Sequence, residues 1–173
     1  MKNNQLLGHL GALWGIAGVC AILAGAIYRL SLIAMDAFSQ PLGWHHWIST
    51  LICVLLMAYA EGYKGFQLKF SPRVAARSLH LRDNPTLLHV LLAPLFCMGY
   101  FHTTRKRQIT SIIITLMIIG IVQLAHMLVQ PWRGILDLGV VVGLTWGLAS
   151  LLAFAIVALT RPEFRHSPEL PES

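Results

Sequence analysis

Apolar residues run through this chain in five blocks, at about 10–34, 44–62, 86–101, 109–129 and 135–159, joined by short polar stretches. A helix needs roughly twenty residues at about 1.5 Å each to cross a hydrocarbon core near 30 Å. The first, second, fourth and fifth blocks reach about that length, so each predicts a membrane-crossing helix. The third is different. Its sixteen residues span only about 24 Å as a helix, and Pro94 interrupts it near the middle, where a proline removes a backbone donor and clashes with the preceding turn.

The joints decide how the blocks are threaded. Residues 63–85 carry Lys64, Lys69, Arg73, Arg77 and Arg82, and Arg105, Lys106 and Arg107 follow the third block directly. Cytoplasmic joints are enriched in Lys and Arg. If all five blocks cross from a cytoplasmic N-terminus, the two sides hold seven and five cations; if the third dips in and returns, they hold eleven and one. The second count is the more asymmetric. The expected fold is therefore an all-α integral membrane protein, a bundle of four transmembrane helices plus a short, Pro-broken, re-entrant segment at 86–101, with five transmembrane helices as the alternative. Residues 1–160 form a single domain in this reading. The 63–85 stretch is expected as a basic cytoplasmic loop carrying a short amphipathic helix from Ser71 and Pro72 on the membrane surface. Residues 161–173, with three prolines and three glutamates, are expected as a disordered tail.

Composition agrees with the blocks. Hydrophobic residues make up 56% and charged residues 12% of 173 positions, outside the range of soluble domains. The formal charge of +6 lies in the joints between apolar runs, the footprint of membrane orientation and not of nucleic-acid binding. Both termini are expected in the cytoplasm, and a bacterial-type inner membrane is the expected location. Cys20, Cys53 and Cys97 lie singly inside apolar runs, so they read as small buried hydrophobes and not as a disulfide framework or a thiolate metal site.

Candidate chemistry rests on polar groups inside the blocks, because such groups are costly in lipid and turn toward the bundle interior. On an α-helical wheel His46, Thr50, Cys53, Met57, Glu61 and Lys64 share one stripe of the second helix. That stripe is either a polar cleft around Glu61 or an interhelical seam in which Glu61 pairs with Lys64. His89, His102 and His126 complete a candidate intramembrane polar site of His46, Glu61, His89, His102 and His126. The thirteen-residue interval between His89 and His102 resembles the spacing of two haem ligands on one helix of membrane b-type cytochromes. That arrangement needs a partner histidine for each haem on a facing helix; here His126 stands alone in the fourth block, and Pro94 breaks the helix the spacing presumes. No metal-binding motif is present. Gly139, Gly143 and Gly147 recur every four residues in the fifth block, a ridge suited to close helix packing, and Asp137 follows Arg133 by four as an ion pair at the helix mouth.

No catalytic motif stands out, so the expected function is a non-enzymatic accessory, assembly or structural subunit. Its partners would be the lipid bilayer and other membrane proteins, without nucleic acid and without a cofactor. The alternative is a membrane enzyme or redox protein holding haem, a metal or a quinone in the His/Glu pocket; a transporter is the weaker third reading, since no repeated hydropathy unit is present.

Overall fold

The computed structural model describes residues 2–160 and 166–170, with side chains from Gln5 onward. The described chain is helical, without a strand. Its elements are α1 (Lys2–Phe38), α2 (Trp44–Met57), a π-helix (Ala58–Phe70), α3 (Ser71–Asp83), α4 (Leu87–Leu91), α5 (Ala93–Met98), α6 (Arg105–His126) and α7 (Trp132–Thr160). Three helices, α1, α6 and α7, are long and apolar enough to cross a bilayer.

α1 and α7 form the central pair. At one end of the bundle Ala37 meets Gly134 so closely that a methyl group on that glycine would collide with it. At the other end α1 runs on beside α3, α4 and α5. Its 37 residues are about 55 Å long, well beyond a hydrocarbon core of about 30 Å. Small residues on this overhang give the neighbours room: Gly8 abuts Arg82, Gly11 abuts Val90, Gly15 abuts Ala93 and Cys97, and Gly18 abuts Pro94.

Those contacts trace the third apolar block. It descends along α1 from Val90 beside Gly11 to Pro94 beside Gly18, then rises again to Cys97 beside Gly15. α3 is capped by Asn84, ahead of Pro85, and α5 by Gly99, whose φ of 82° is the left-handed conformation that closes a helix at little cost for glycine. The block is thus a helical hairpin whose two arms open at the same end of the bundle. Around its turn lies the main buried cluster, built from Val19, Leu23, Val74, Leu81, Ala93, Phe96, Cys97 and Leu151.

The stretch expected as a surface loop, 63–85, is helical as far as Asp83, the π-helix running from α2 into α3 without a break. In the α3 half, Ser71, Val74, Ala75, Ala76, Arg77, Ser78 and Leu81 are buried against α1, α5 and α7. Small side chains at 71, 75, 76 and 78 allow that close approach, and Ser71 and Ser150 share a 2.8 Å hydrogen bond between α3 and α7. Charge density alone misreads this segment, because its arginines alternate with residues small enough to be packed.

The tail expectation falls partly outside the described residues, at 161–165 and 171–173. Residues 166–170 lie against the bundle: Leu170 packs on the core cluster, and the His166 ring meets Phe154 edge-on at 5.8 Å.

Candidate functional site

The π-helix determines how the second helical rod meets α7. In a π-helix each N–H reaches the carbonyl five residues back, so the turn widens and the α-helical wheel no longer holds. Lys64 accordingly sits with its ammonium 4.7 Å over the ring of Tyr59, five residues earlier, instead of pairing with Glu61. On the opposite side, Cys53, Met57, Glu61 and Phe66 advance by four, four and five residues along the glycine ridge of α7. A methyl group on Gly139 would lie 2.6 Å from Cys53 Sγ, one on Gly143 would lie 3.1 Å from Glu61 Cβ, and one on Gly147 would lie 2.5 Å from Phe66. Gly62 repeats the pattern in reverse against Trp146, whose indole N–H donates to Gln67 at 2.7 Å. The ridge and the polar stripe are therefore two faces of one helix contact. Glu61 makes no hydrogen bond or ion pair among the described residues.

The candidate polar residues divide among three places. His46 lies at the start of α2, where its Nδ1 accepts the backbone N–H of Gly43 at 3.0 Å, a cap on the first turn, and its ring is 5.0 Å from that of Trp132. His126, at the end of α6, bonds through Nδ1 to the carbonyl of Val122 in its own helix at 2.6 Å. Nearby, Arg133 and Asp137 pair at 3.8 Å, with Gln130 bridging Asp36 and the backbone of Gly134 and Ile33. Glu61 occupies the middle of the bundle. His89 and His102 meet at the other end, with ring centroids 4.7 Å apart and tilted by 43°. They stand on the two arms of the hairpin and not on one continuous helix. No three His, Cys, Asp or Glu side chains converge as a metal-ligand set among the described residues.

What the His pair surrounds is a residue that its charge disguised in the sequence. Arg77 is only 3% exposed. Its guanidinium donates from Nε to the carbonyl of Phe96 at 2.6 Å, from Nη2 to Phe101 and His102 at 3.0 and 3.1 Å, and from Nη1 to Pro168 at 2.8 Å. It also lies 4.2 Å over the Phe96 ring, a cation–π contact in a poorly hydrated setting. One planar fork thus ties α3 to the rising arm of the hairpin and to the C-terminal segment. Burial lowers its pKa to about 10, with Cys97 and Glu169 opposing that shift and Arg107 adding to it, so Arg77 remains charged at neutral pH. His102 adopts a left-handed φ of 50°, a sparsely populated conformation for a non-glycine residue, and the Arg77 bond to its carbonyl helps hold it there.

Around Arg77 stand two more arginines and one acid. Arg73 Nη1 and Arg107 Nε approach the same oxygen, Oε2 of Glu169, at 3.6 and 3.7 Å. The Glu169 carbonyl accepts from the Thr103 hydroxyl at 2.8 Å and from the backbone N–H of Thr104, at the start of α6, at 3.3 Å. His80, on α3, has its ring 6.4 Å from Phe96. Its pKa is pushed below the ordinary histidine value, first by burial and then by the positive neighbours His102 and Arg77, with Asp83 opposing.

No known family model, curated protein or solved structure matches the chain.

Proposed function

We propose that this protein is a non-enzymatic accessory or assembly subunit that binds other membrane proteins in a bacterial-type inner membrane. Four crossings are read here, by α1, by α2 with the π-helix, by α6 and by α7, with the 86–101 hairpin re-entering from the cytoplasmic face beside both termini. Support for the topology comes from the common end shared by the hairpin arms and from the cations gathered there.

The observation that carries the functional reading is the state of α6. Only Ser111 and Ala125 of its 22 residues are buried by the rest of the chain. It is linked to the hairpin by Tyr100 to Thr115 at 2.6 Å and by Ser111 to the Met98 carbonyl at 3.4 Å. Beyond these links its apolar residues from Leu116 to Leu124 are exposed, including the Leu116, Ile118, Ile121 and Leu124 side chains. Association between helices in lipid depends on close side-chain contact and interhelical hydrogen bonds. A crossing helix without such contact along its inner length suits a subunit whose neighbour supplies it, and the occupant read here is a transmembrane helix of another membrane protein.

The competing redox or enzymatic reading requires one His/Glu pocket, whereas its five residues are spread over both ends and the middle of the bundle. A photo-crosslinking residue at Ile118, in cells, distinguishes the two. The expected product is a discrete adduct with a second membrane protein that also co-purifies in mild detergent. Lipid-only adducts, or a purified protein carrying a Soret band without partners, would defeat the accessory reading.

A further inference from the structure

The basic end of the bundle contains a site that its own chain fills imperfectly. Arg73 and Arg77 from α3 and Arg107 from α6 converge there with Gly99 and Thr103 around Glu169; Arg73 and Arg107 approach its carboxylate, and the Thr103 hydroxyl and the Thr104 N–H at the start of α6 donate to its backbone carbonyl. Charge-assisted N–H···O bonds normally close to about 2.7–2.9 Å. Glu169 instead has both guanidiniums at 3.6 and 3.7 Å, on one oxygen, while its side chain remains 39% exposed. It also sits at φ 49°, in the left-handed region that a glutamate rarely occupies. The fit is loose on the ligand side and unfavourable on the backbone side.

Charge points the same way. Two partly buried guanidiniums and a third that is fully buried face one acid, so the cluster keeps an excess of positive charge even when the tail is seated. When the tail leaves, Arg73 and Arg107 lose their ion-pair partner, and Thr103, the Thr104 N–H and one arm of Arg77 lose their acceptors, while Arg73 keeps the bond from its Nε to the Lys69 carbonyl at 2.6 Å. Donors fixed on two helices, one of them a 22-residue helix presenting its N-terminus, match an anion with several oxygens better than a planar carboxylate.

We propose that Arg73, Arg77 and Arg107, with Thr103 and the start of α6, form a binding site for a phosphate group, and that Glu169 is a tethered stand-in which the phosphate displaces. A phosphate offers three or four oxygens to these donors, where Glu169 offers one carboxylate oxygen to the arginines and its backbone carbonyl to Thr103 and Thr104. The source is either the headgroup of an anionic phospholipid or free inorganic phosphate; both present the same chemistry to the arginines. A Glu169 carboxylate seated nine-tenths of the time weakens apparent binding by about tenfold, so removing its charge tightens binding by that factor.

The test uses the full chain in a neutral detergent, with native mass spectrometry to count bound ligand. Phosphatidic acid and phosphatidylglycerol are titrated in one arm, inorganic phosphate in a second and phosphatidylcholine in a third. Glu169→Gln is expected to bind about tenfold more tightly than the native chain, and Glu169→Gln combined with Arg73→Gln or Arg107→Gln is expected to lose that gain. Because the first variant gains binding, a folding defect cannot mimic it. The pattern in the lipid arm, weak in phosphatidylcholine, establishes a headgroup site, and the pattern in the second arm alone establishes a free-phosphate site. Equal binding by native and Glu169→Gln chains, retention of the gain without Arg73 and Arg107, or no binding in any arm would overturn the proposal.

Discussion

The rings of His89 and His102 lie 4.7 Å apart although a proline-broken helical segment separates them in sequence. A straight helix over that interval would hold them about 20 Å apart along its axis. Their contact therefore reports that the segment turns back, and it fixes the end of the bundle at which both arms emerge.

That relationship predicts the outcome of cysteine accessibility. Single cysteines at Asn84 and Arg105, in a chain whose Cys20, Cys53 and Cys97 are replaced by serine or alanine, should react with a membrane-impermeant thiol reagent from the same face. A cysteine at Gln40 should react only from the other. Labelling of positions 84 and 105 from opposite faces would mean five crossings.

Arg77 should be the least replaceable cation in the molecule. Arg77→Ala strands carbonyls at Phe96, Phe101, His102 and Pro168 and is expected to cost about 3 kcal/mol, on the order of 10 °C in Tm. Arg77→Lys keeps a point charge but not the fork, and should recover only part of that loss. Thermal unfolding in detergent measures both; a loss no larger than that of Arg82→Ala, a cation paired among the described residues only with its exposed neighbour Asp83, would remove Arg77 from this role.

Glycines should sort by what faces them. Gly147→Ala drives a methyl group into Phe66 and is expected to destabilise by about 1–3 kcal/mol. Gly120→Ala meets nothing within 4 Å and is expected to stabilise α6 by about 0.5–1 kcal/mol. Equal effects in the same thermal assay would contradict the seam between the second helical rod and α7.

Acid should loosen the hairpin. The His80 pKa is lower in the folded chain than in the unfolded one, so the unfolded state binds the proton more readily below pH about 6.5. Stability from this group is complete above that pH and is lost as pH falls through the folded value. His80→Gln should flatten the pH dependence of hydrogen exchange at residues 96–102 between pH 7 and 5, and an unchanged slope would assign the effect elsewhere.

Much of this architecture can be read from residue order. The apolar runs behind α1, α6 and α7 are unmistakable, and the four-residue recurrence of Gly139, Gly143 and Gly147 marks a smooth helix face. The stripe from His46 to Met57 is legible as well, but the wheel misplaces Lys64 because nothing in Ala58–Phe70 announces a π-helical turn. Arg77 escaped for a different reason. A cation in a basic joint looks solvated, and its acceptors are backbone carbonyls, which carry no residue signature. The same holds for 166–170, held largely through the carbonyls of Pro168 and Glu169. Spacing also could not tell that His46 and His89 belong to opposite ends, since that depends on which apolar run turns back.

Glu169 belongs to the same chain as Arg73 and Arg107, so every copy of the protein brings one competitor for each arginine cluster. Raising the number of copies raises sites and competitors together. The concentration of anion at which the cluster fills is then a property of the tether and not of expression level, which makes occupancy a measure of the surroundings alone.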